Sequence, residues 1–216
     1  MLGSMGIADR RTEYETAGLD LADLDPDPIV QWQRWYAEAV EAGCTEPNAM
    51  VLATVGADGQ PDARFVLVRG ADERGFTFFS NLGSAKARQL AANPRASLTF
   101  GWLELHRQVR IRGSAETIEP GEADAYYATR PRGSQIASWA SSAQSQPLAD
   151  RASLEAAVAA VDTRFAGTAV TRPPFWTGTR IVPSEVEMWQ GRPSRLHDRF
   201  LYRRSSDGWT IERLWP

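Results

Sequence analysis

"NAMVLATVGADGQPDARFVLVRG", residues 48–70, is the stretch that decides the fold class. Two apolar runs flank Asp58-Gly59, a dipeptide that readily supplies the positive φ values of a tight hairpin turn. The stretch therefore reads as two antiparallel strands. Working outward, "GFTFFS" (75–80) is a third strand, and "SAKARQLAANP" (84–94) is a short helix with Ser84 as its cap and Pro94 past its end. "RASLTFGW" (95–102) and "RQVRIRGSAETI" (107–118) continue the sheet. Beyond Pro120, "GEADAYYATRP" is helical, an Ala-rich helix follows near 152–166, and three more strands close the chain at "GWTIERLWP" (208–216).

On the other side of the hairpin, residues 1–27 are polar, contain a "DPDP" break and read as an arm. Pro28 suits the first position of a helix capped by Asp27. Ile29, Trp32, Trp35, Tyr36, Ala39 and Val40 keep helical spacing, and Gly43 stops it. The count is six to eight strands and four helices, with no βαβ alternation and no repeat. That favours a mainly β, antiparallel barrel with peripheral helices, formed as one domain over 28–216. No GxGxxG follows a strand, which argues against a dinucleotide-binding sheet.

Composition narrows the chemistry. Hydrophobic content of 43% and charged content of 24% over 216 residues are those of an ordinary globular chain. No run nears 18 apolar residues and no signal-peptide core is evident, so a cytoplasmic protein with no membrane partner is expected. The lone Cys44 leaves no internal disulfide, and two histidines without a carboxylate pattern make a poor metal site. Neither His106 nor His197 lies in a nucleophile motif. Formal net charge is −3, so the arginine-rich run "RPSRLHDRFLYRR" (192–204) points to a local anionic target, not to nucleic acid at large.

Other cations stand beside strands and helix starts. Arg64 and Arg69 bracket "RFVLVR"; strand alternation would send them to opposite faces unless a bulge intervenes. Ser84 and Lys86 open a helix, where free N–H groups favour phosphate, and Lys86 is the chain's only lysine. Tyr126 and Arg130 are one helical turn apart, with Arg132 and Ser134 just beyond. Each element alone is unspecific. Together they offer donors for two phosphates, one on a cofactor and one on a substrate.

These residues carry a resemblance. "EPNAMVLATV" (46–55), "FFSNLGSAKARQL" (78–90), "RPRGSQIASW" (130–139), "EMWQGRPSRLHDR" (187–199) and the closing "GWTIERLWP" resemble the pyridoxine/pyridoxamine 5′-phosphate oxidases from about Arg11 to Pro216. The resemblance implies a split-barrel homodimer with FMN in each of two inter-subunit clefts. It implies pyridoxal 5′-phosphate synthase activity: oxidation of pyridoxine or pyridoxamine 5′-phosphate by O2, giving H2O2, and ammonia from the amine.

Position by position, it implies that Arg64, Phe65, Val66, Leu67, Val68 and Arg69 line the FMN, with Phe79, Ser80, Lys86 and Gln108. Gln144, Ser145, Trp189 and Arg199 join them. Arg69, Tyr126, Arg130 and Ser134 would hold the substrate phosphate. Arg195 and His197 would flank the pyridine ring as catalytic residues, with Arg11 and Tyr14 closing over it. Arg69 stands where the family usually has Lys, and Ala85 where it commonly has Arg. Rival readings are a phenazine-pathway flavin oxidase and a non-catalytic flavin-binding split barrel.

Overall fold

A computed structural model describes residues 13, 14 and 16–216. Arg11 lies outside the described residues. Nine strands and five α-helices are present among them: α1 Pro28–Glu41, β1 Ala49–Val55, β2 Pro61–Leu67, β3 Gly70–Asp72, β4 Gly75–Asn81, α2 Ala85–Ala92, β5 Arg95–Trp102, β6 Arg107–Thr117, α3 Pro120–Thr129, α4 Arg132–Ala140, α5 Arg151–Arg164, β7 Trp176–Gln190, β8 Asp198–Ser205 and β9 Gly208–Leu214. The hydrogen-bonded order is β2-β1-β5-β6-β7-β4-β3, and β8 pairs with both β7 and β9. The pairings of β4 with β3 and β7, and of β8 with β7 and β9, are antiparallel.

Four helices were expected and five are found. The additional one is α4, which starts directly after Pro131 and carries Gly133 and two serines. Those residues hide it from a propensity reading, because glycine and serine weaken a helix. Its stability comes from packing: Ile136 is buried with Phe165 and Val170, and Trp139, Val158 and Val161 cover them.

The chain divides into two compact units, one of residues 50–98 and 112–183, the other of 1–49, 99–111 and 184–216. In the first, Gly59 takes φ +80° in the β1–β2 turn, the conformation that the Asp-Gly pair anticipates. β4 is buried along most of its length, and Phe76 and Phe78 are almost wholly inaccessible. Burying each such ring contributes about 1.5–3 kcal/mol. Gly113 permits a close approach, since a Cβ there would lie 2.1 Å from the Val182 carbonyl oxygen.

In the second unit, Asp27 caps α1 by accepting from the Ile29 N–H at 2.8 Å. The buried face of α1 sets Trp32 against Phe100 and Trp102, at ring separations of 5.1 and 6.4 Å. The Trp102 indole N–H donates to the Pro47 carbonyl at 2.9 Å. The β8–β9 hairpin continues onto the end of β7, with Trp189 opposite Arg199 and Glu187 opposite Leu201. Tyr202 donates its buried hydroxyl to the Asp25 carbonyl at 2.8 Å, tying β8 to the segment before α1.

Candidate active site

Within the first unit, the end of β2, β4, the start of α2, and helices α3 and α4 enclose a cavity of about 660 Å³. Of the residues expected at a cofactor or substrate, Phe65, Val66, Leu67, Arg69, Phe79, Ser80, Lys86, Tyr126, Arg130, Ser134 and Gln144 line it. Three do not. Val68 is buried. Arg64 donates to Thr54 and to the Gln89 side chain, and pairs with Asp62. Ser145, in a left-handed conformation at φ 69°, accepts from the Ala85 N–H at 3.2 Å, bridging the 141–146 turn to the start of α2.

Arg69, Lys86 and Arg130 all line this cavity, and none meets a carboxylate within salt-bridge distance among the described residues. Burial pulls the Lys86 ammonium below the ordinary lysine value, and the positive charge of Arg64 adds to this. Burial likewise lowers Arg130, helped by Arg69 and opposed by Tyr126 and Tyr127. Like charges thus fall into two pairs, Lys86 with Arg64 and Arg130 with Arg69. Desolvated cations that repel one another are costly, and an anion relieves both costs. The wall thus presents three cations, Arg69, Lys86 and Arg130, beside an apolar and aromatic surface, while Arg64 is already answered by Asp62.

Ser84 caps α2 as its sequence predicts: it is fully buried, and its hydroxyl accepts from the Ala87 N–H. Sequence reasoning missed several contributors. Asn81, 4% exposed, donates to the carbonyls of Ser141 and Ser142 at 2.9 and 3.1 Å and so fixes the turn that carries Gln144. Trp176 stacks on Phe79 at 5.0 Å, and Phe79 stacks on Tyr126 at 3.9 Å. Ser138 holds Arg130. Asn81 falls inside a stretch quoted for another reason and Trp176 inside none, and no periodicity marks them.

The second unit gathers the remaining candidates. His197 lies 4.5 Å from the Trp189 ring and 5.8 Å from Tyr14. Its Nδ1 accepts from the Arg192 backbone N–H at 3.1 Å, which places the proton of the neutral ring on Nε2. Burial lowers its pKa, the Arg195 charge adds to this, and Asp198 opposes it. The net shift favours the neutral ring, in which Nε2 carries the N–H. Tyr14 stacks on His106 at 4.2 Å, and a Cβ at residue 191 would lie 2.6 Å from the Tyr14 ring, so Gly191 makes that seat possible.

Ser194 and Arg195 are both left-handed, at φ 56° and 62°. Glu13 accepts from the Ser194 N–H at 3.1 Å and holds this turn. Most neighbouring arginines are neutralised. Glu187, with a side chain 4% exposed, pairs with Arg110 at 2.8 Å and Arg199 at 2.9 Å. Arg199 also donates to the Trp215 carbonyl at 2.9 Å. Gln108 is half-buried at the start of β6. The Cys44 thiol is buried and raised in pKa by that burial, which suits a packed side chain and not a nucleophile.

The fold and these residues define the class of split-barrel flavin proteins. PhzG from Burkholderia lata 383, solved in complex with tetrahydrophenazine-1-carboxylic acid, is 33% identical with a TM-score of 0.87, over 95% of this chain and 100% of that one. An FMN-binding, pyridoxamine 5′-phosphate oxidase-related protein from Nostoc punctiforme shares the fold at a TM-score of 0.70 and 19% identity, over 86% of this chain and 97% of that one.

The family model described as pyridoxamine 5′-phosphate oxidase matches residues 36–165, and that described as the pyridoxine 5′-phosphate oxidase C-terminal dimerisation region matches 176–216. The pyridoxine/pyridoxamine 5′-phosphate oxidases of Rubrobacter xylanophilus and Ralstonia pickettii are 54% and 55% identical, over 97% of this chain and 96% and 99% of theirs. The chain belongs to the pyridoxamine 5′-phosphate oxidase family, a family of enzymes.

Proposed function

We propose that the chain, as a homodimer, oxidises pyridoxine 5′-phosphate or pyridoxamine 5′-phosphate to pyridoxal 5′-phosphate with FMN as cofactor. The observation that carries this reading is the trio of cations lining one cavity, Arg69, Lys86 and Arg130, without carboxylate partners among the described residues. Two phosphates, one on the cofactor and one on the vitamer, supply the missing counter-charge. The donor set fits FMN: Lys86 at a helix start suits its phosphate, and Val66, Leu67 and Phe79 suit an aromatic ring system. Bound FMN supplies hydride acceptance from the C4′ carbon, with O2 as final acceptor and H2O2 as product.

The protein's own contribution is binding and orientation. Arg69, Tyr126, Arg130 and Ser134 hold the vitamer phosphate in ground and transition states alike, so they act on KM. Arg195 and His197 orient the pyridine ring, Arg195 through its charge and His197 through its Nε2–H. Tyr14, seated on His106, excludes water from that side.

The likeness to PhzG supports a second reading, oxidation of a phenazine precursor. Its ligand in that structure is a carboxylic acid and carries no phosphate, so it brings less negative charge to the three cavity cations than a phosphorylated vitamer does. The test is turnover under air: the protein loaded with FMN should convert pyridoxine 5′-phosphate to the aldehyde with matching H2O2, and convert pyridoxine without phosphate far more slowly. Equal rates with and without phosphate would overturn the reading.

A further inference from the structure

Arginine in proteins is usually oriented by a carboxylate, which also cancels its charge. Arg130 is oriented differently. Its Nη1 donates to the Ser138 hydroxyl at 2.6 Å, and Ser138 donates its own proton to the Ser134 carbonyl at 2.9 Å. A hydroxyl has one proton, so its donation to that carbonyl leaves the oxygen lone pairs for the guanidinium. The Arg130 Cζ lies 4.8 Å from the Trp176 ring centre and 5.7 Å from that of Tyr127. Ser138 is 9% exposed and Trp176 6%, so neither contact is a loose surface one. One hydroxyl and two ring faces hold the cation without neutralising it.

We propose that Ser138 and Trp176 are positioning residues that preset the Arg130 guanidinium for the substrate phosphate. This rests on the reading of Arg130 as a phosphate anchor. A guanidinium has five N–H donors in a fixed fork, and the Ser138 bond fixes one arm so that the others face an anion at little further entropic cost. Ser138 stands one turn after Ser134 on α4, so its single hydroxyl also ties the backbone of a second phosphate-anchor candidate to the first. Trp176 stacks on Phe79 and lies nearly parallel to Tyr126, 4° apart, and so backs the same wall.

The test is steady-state kinetics of the FMN-loaded enzyme with pyridoxine 5′-phosphate, alongside pyridoxine lacking the phosphate. Ser138→Ala should raise KM for the phosphorylated substrate about 5- to 15-fold with kcat retained, less than the full loss of a hydrogen bond to a charged group because the Arg130 guanidinium itself remains. Turnover of unphosphorylated pyridoxine should not change; a merely structural defect would lower both. Ser138→Thr, which keeps the hydroxyl, should restore KM to near the parent value. Trp176→Phe, which keeps a ring face, should raise KM about 2- to 5-fold, in the range of one cation–π contact.

Ser138→Ala added to Arg130→Ala should cost nothing beyond Arg130→Ala alone. If Arg130→Ala raises KM but Ser138→Ala and Trp176→Phe do not, the positioning role is overturned and the phosphate reading stands. If Arg130→Ala leaves KM unchanged, the phosphate reading and this inference both fail.

Discussion

The two candidate clusters treat their cations in opposite ways. Around His197, buried or half-buried carboxylates meet the arginines: Glu187 holds Arg110 and Arg199, and Asp198 holds Arg192 and Arg213. In the cavity lined by Lys86 and Arg130 no carboxylate answers the charge among the described residues, and burial depresses both groups. The difference separates frame from site. A neutralised arginine stabilises the fold as found, whereas a desolvated, uncompensated one is stabilised only when a ligand brings the counter-charge. Arg195 is the exception in its own cluster, since no salt bridge holds it among the described residues. That is consistent with its proposed place at the substrate.

The largest expected effect falls on Arg195. Arg195→Ala should lower kcat/KM for pyridoxine 5′-phosphate about ten- to hundredfold, the loss of one charge-assisted contact. FMN affinity and the dimer should persist, checked by fluorescence titration and light scattering. Retained activity with lost FMN would assign the arginine to the wrong ligand. Next in size is the contrast in stability. Glu187→Ala leaves two guanidinium groups without their buried partner and should destabilise the protein by about 1–3 kcal/mol in urea unfolding.

Lys86→Met should leave the ligand-free protein as stable as the parent or more so, because it removes a desolvated charge. The same variant should weaken FMN more than tenfold, while Arg203→Ala, at a residue already paired with Glu185, should not. Equal dissociation constants for Lys86→Met and Arg203→Ala would erase the distinction between site and frame.

How much of this was legible beforehand follows from what each signal needs. Asp58-Gly59 and the Asp27-Pro28 start are local, and both appear as read. α4 was not legible, because Pro131 and Gly133 signal a loop while tertiary burial of Ile136 decides for helix. Lys86, Tyr126, Arg130 and Ser134 were nameable from local spacing and resemblance, and all four line one cavity. Trp176 and Asn81 were not, since their roles exist only once distant segments meet, and Ser138 was not, since its contacts with Arg130 and Ser134 need the unexpected helix α4. Arg64 shows the reverse case: the strand sequence cannot disclose that Asp62 and Thr54 engage its guanidinium.

The smallest effect is one of pH, and it carries the sharpest test. Burial and the charge of Arg64 hold the folded pKa of Lys86 below the ordinary lysine value, so between that lowered value and the ordinary one the unfolded chain binds more protons than the folded one. Ligand-free stability from this group should therefore rise with pH across that window, and the rise should vanish in Lys86→Met. Because Lys86 is the only lysine of the chain, isotopic labelling of lysine gives one side-chain resonance whose titration reports this group alone. The account predicts a Lys86 pKa depressed in the ligand-free protein and raised when FMN is added. A pKa at or above 10.5 without ligand, or one that FMN leaves unmoved, would contradict the claim that this cavity holds its cations in wait for phosphate.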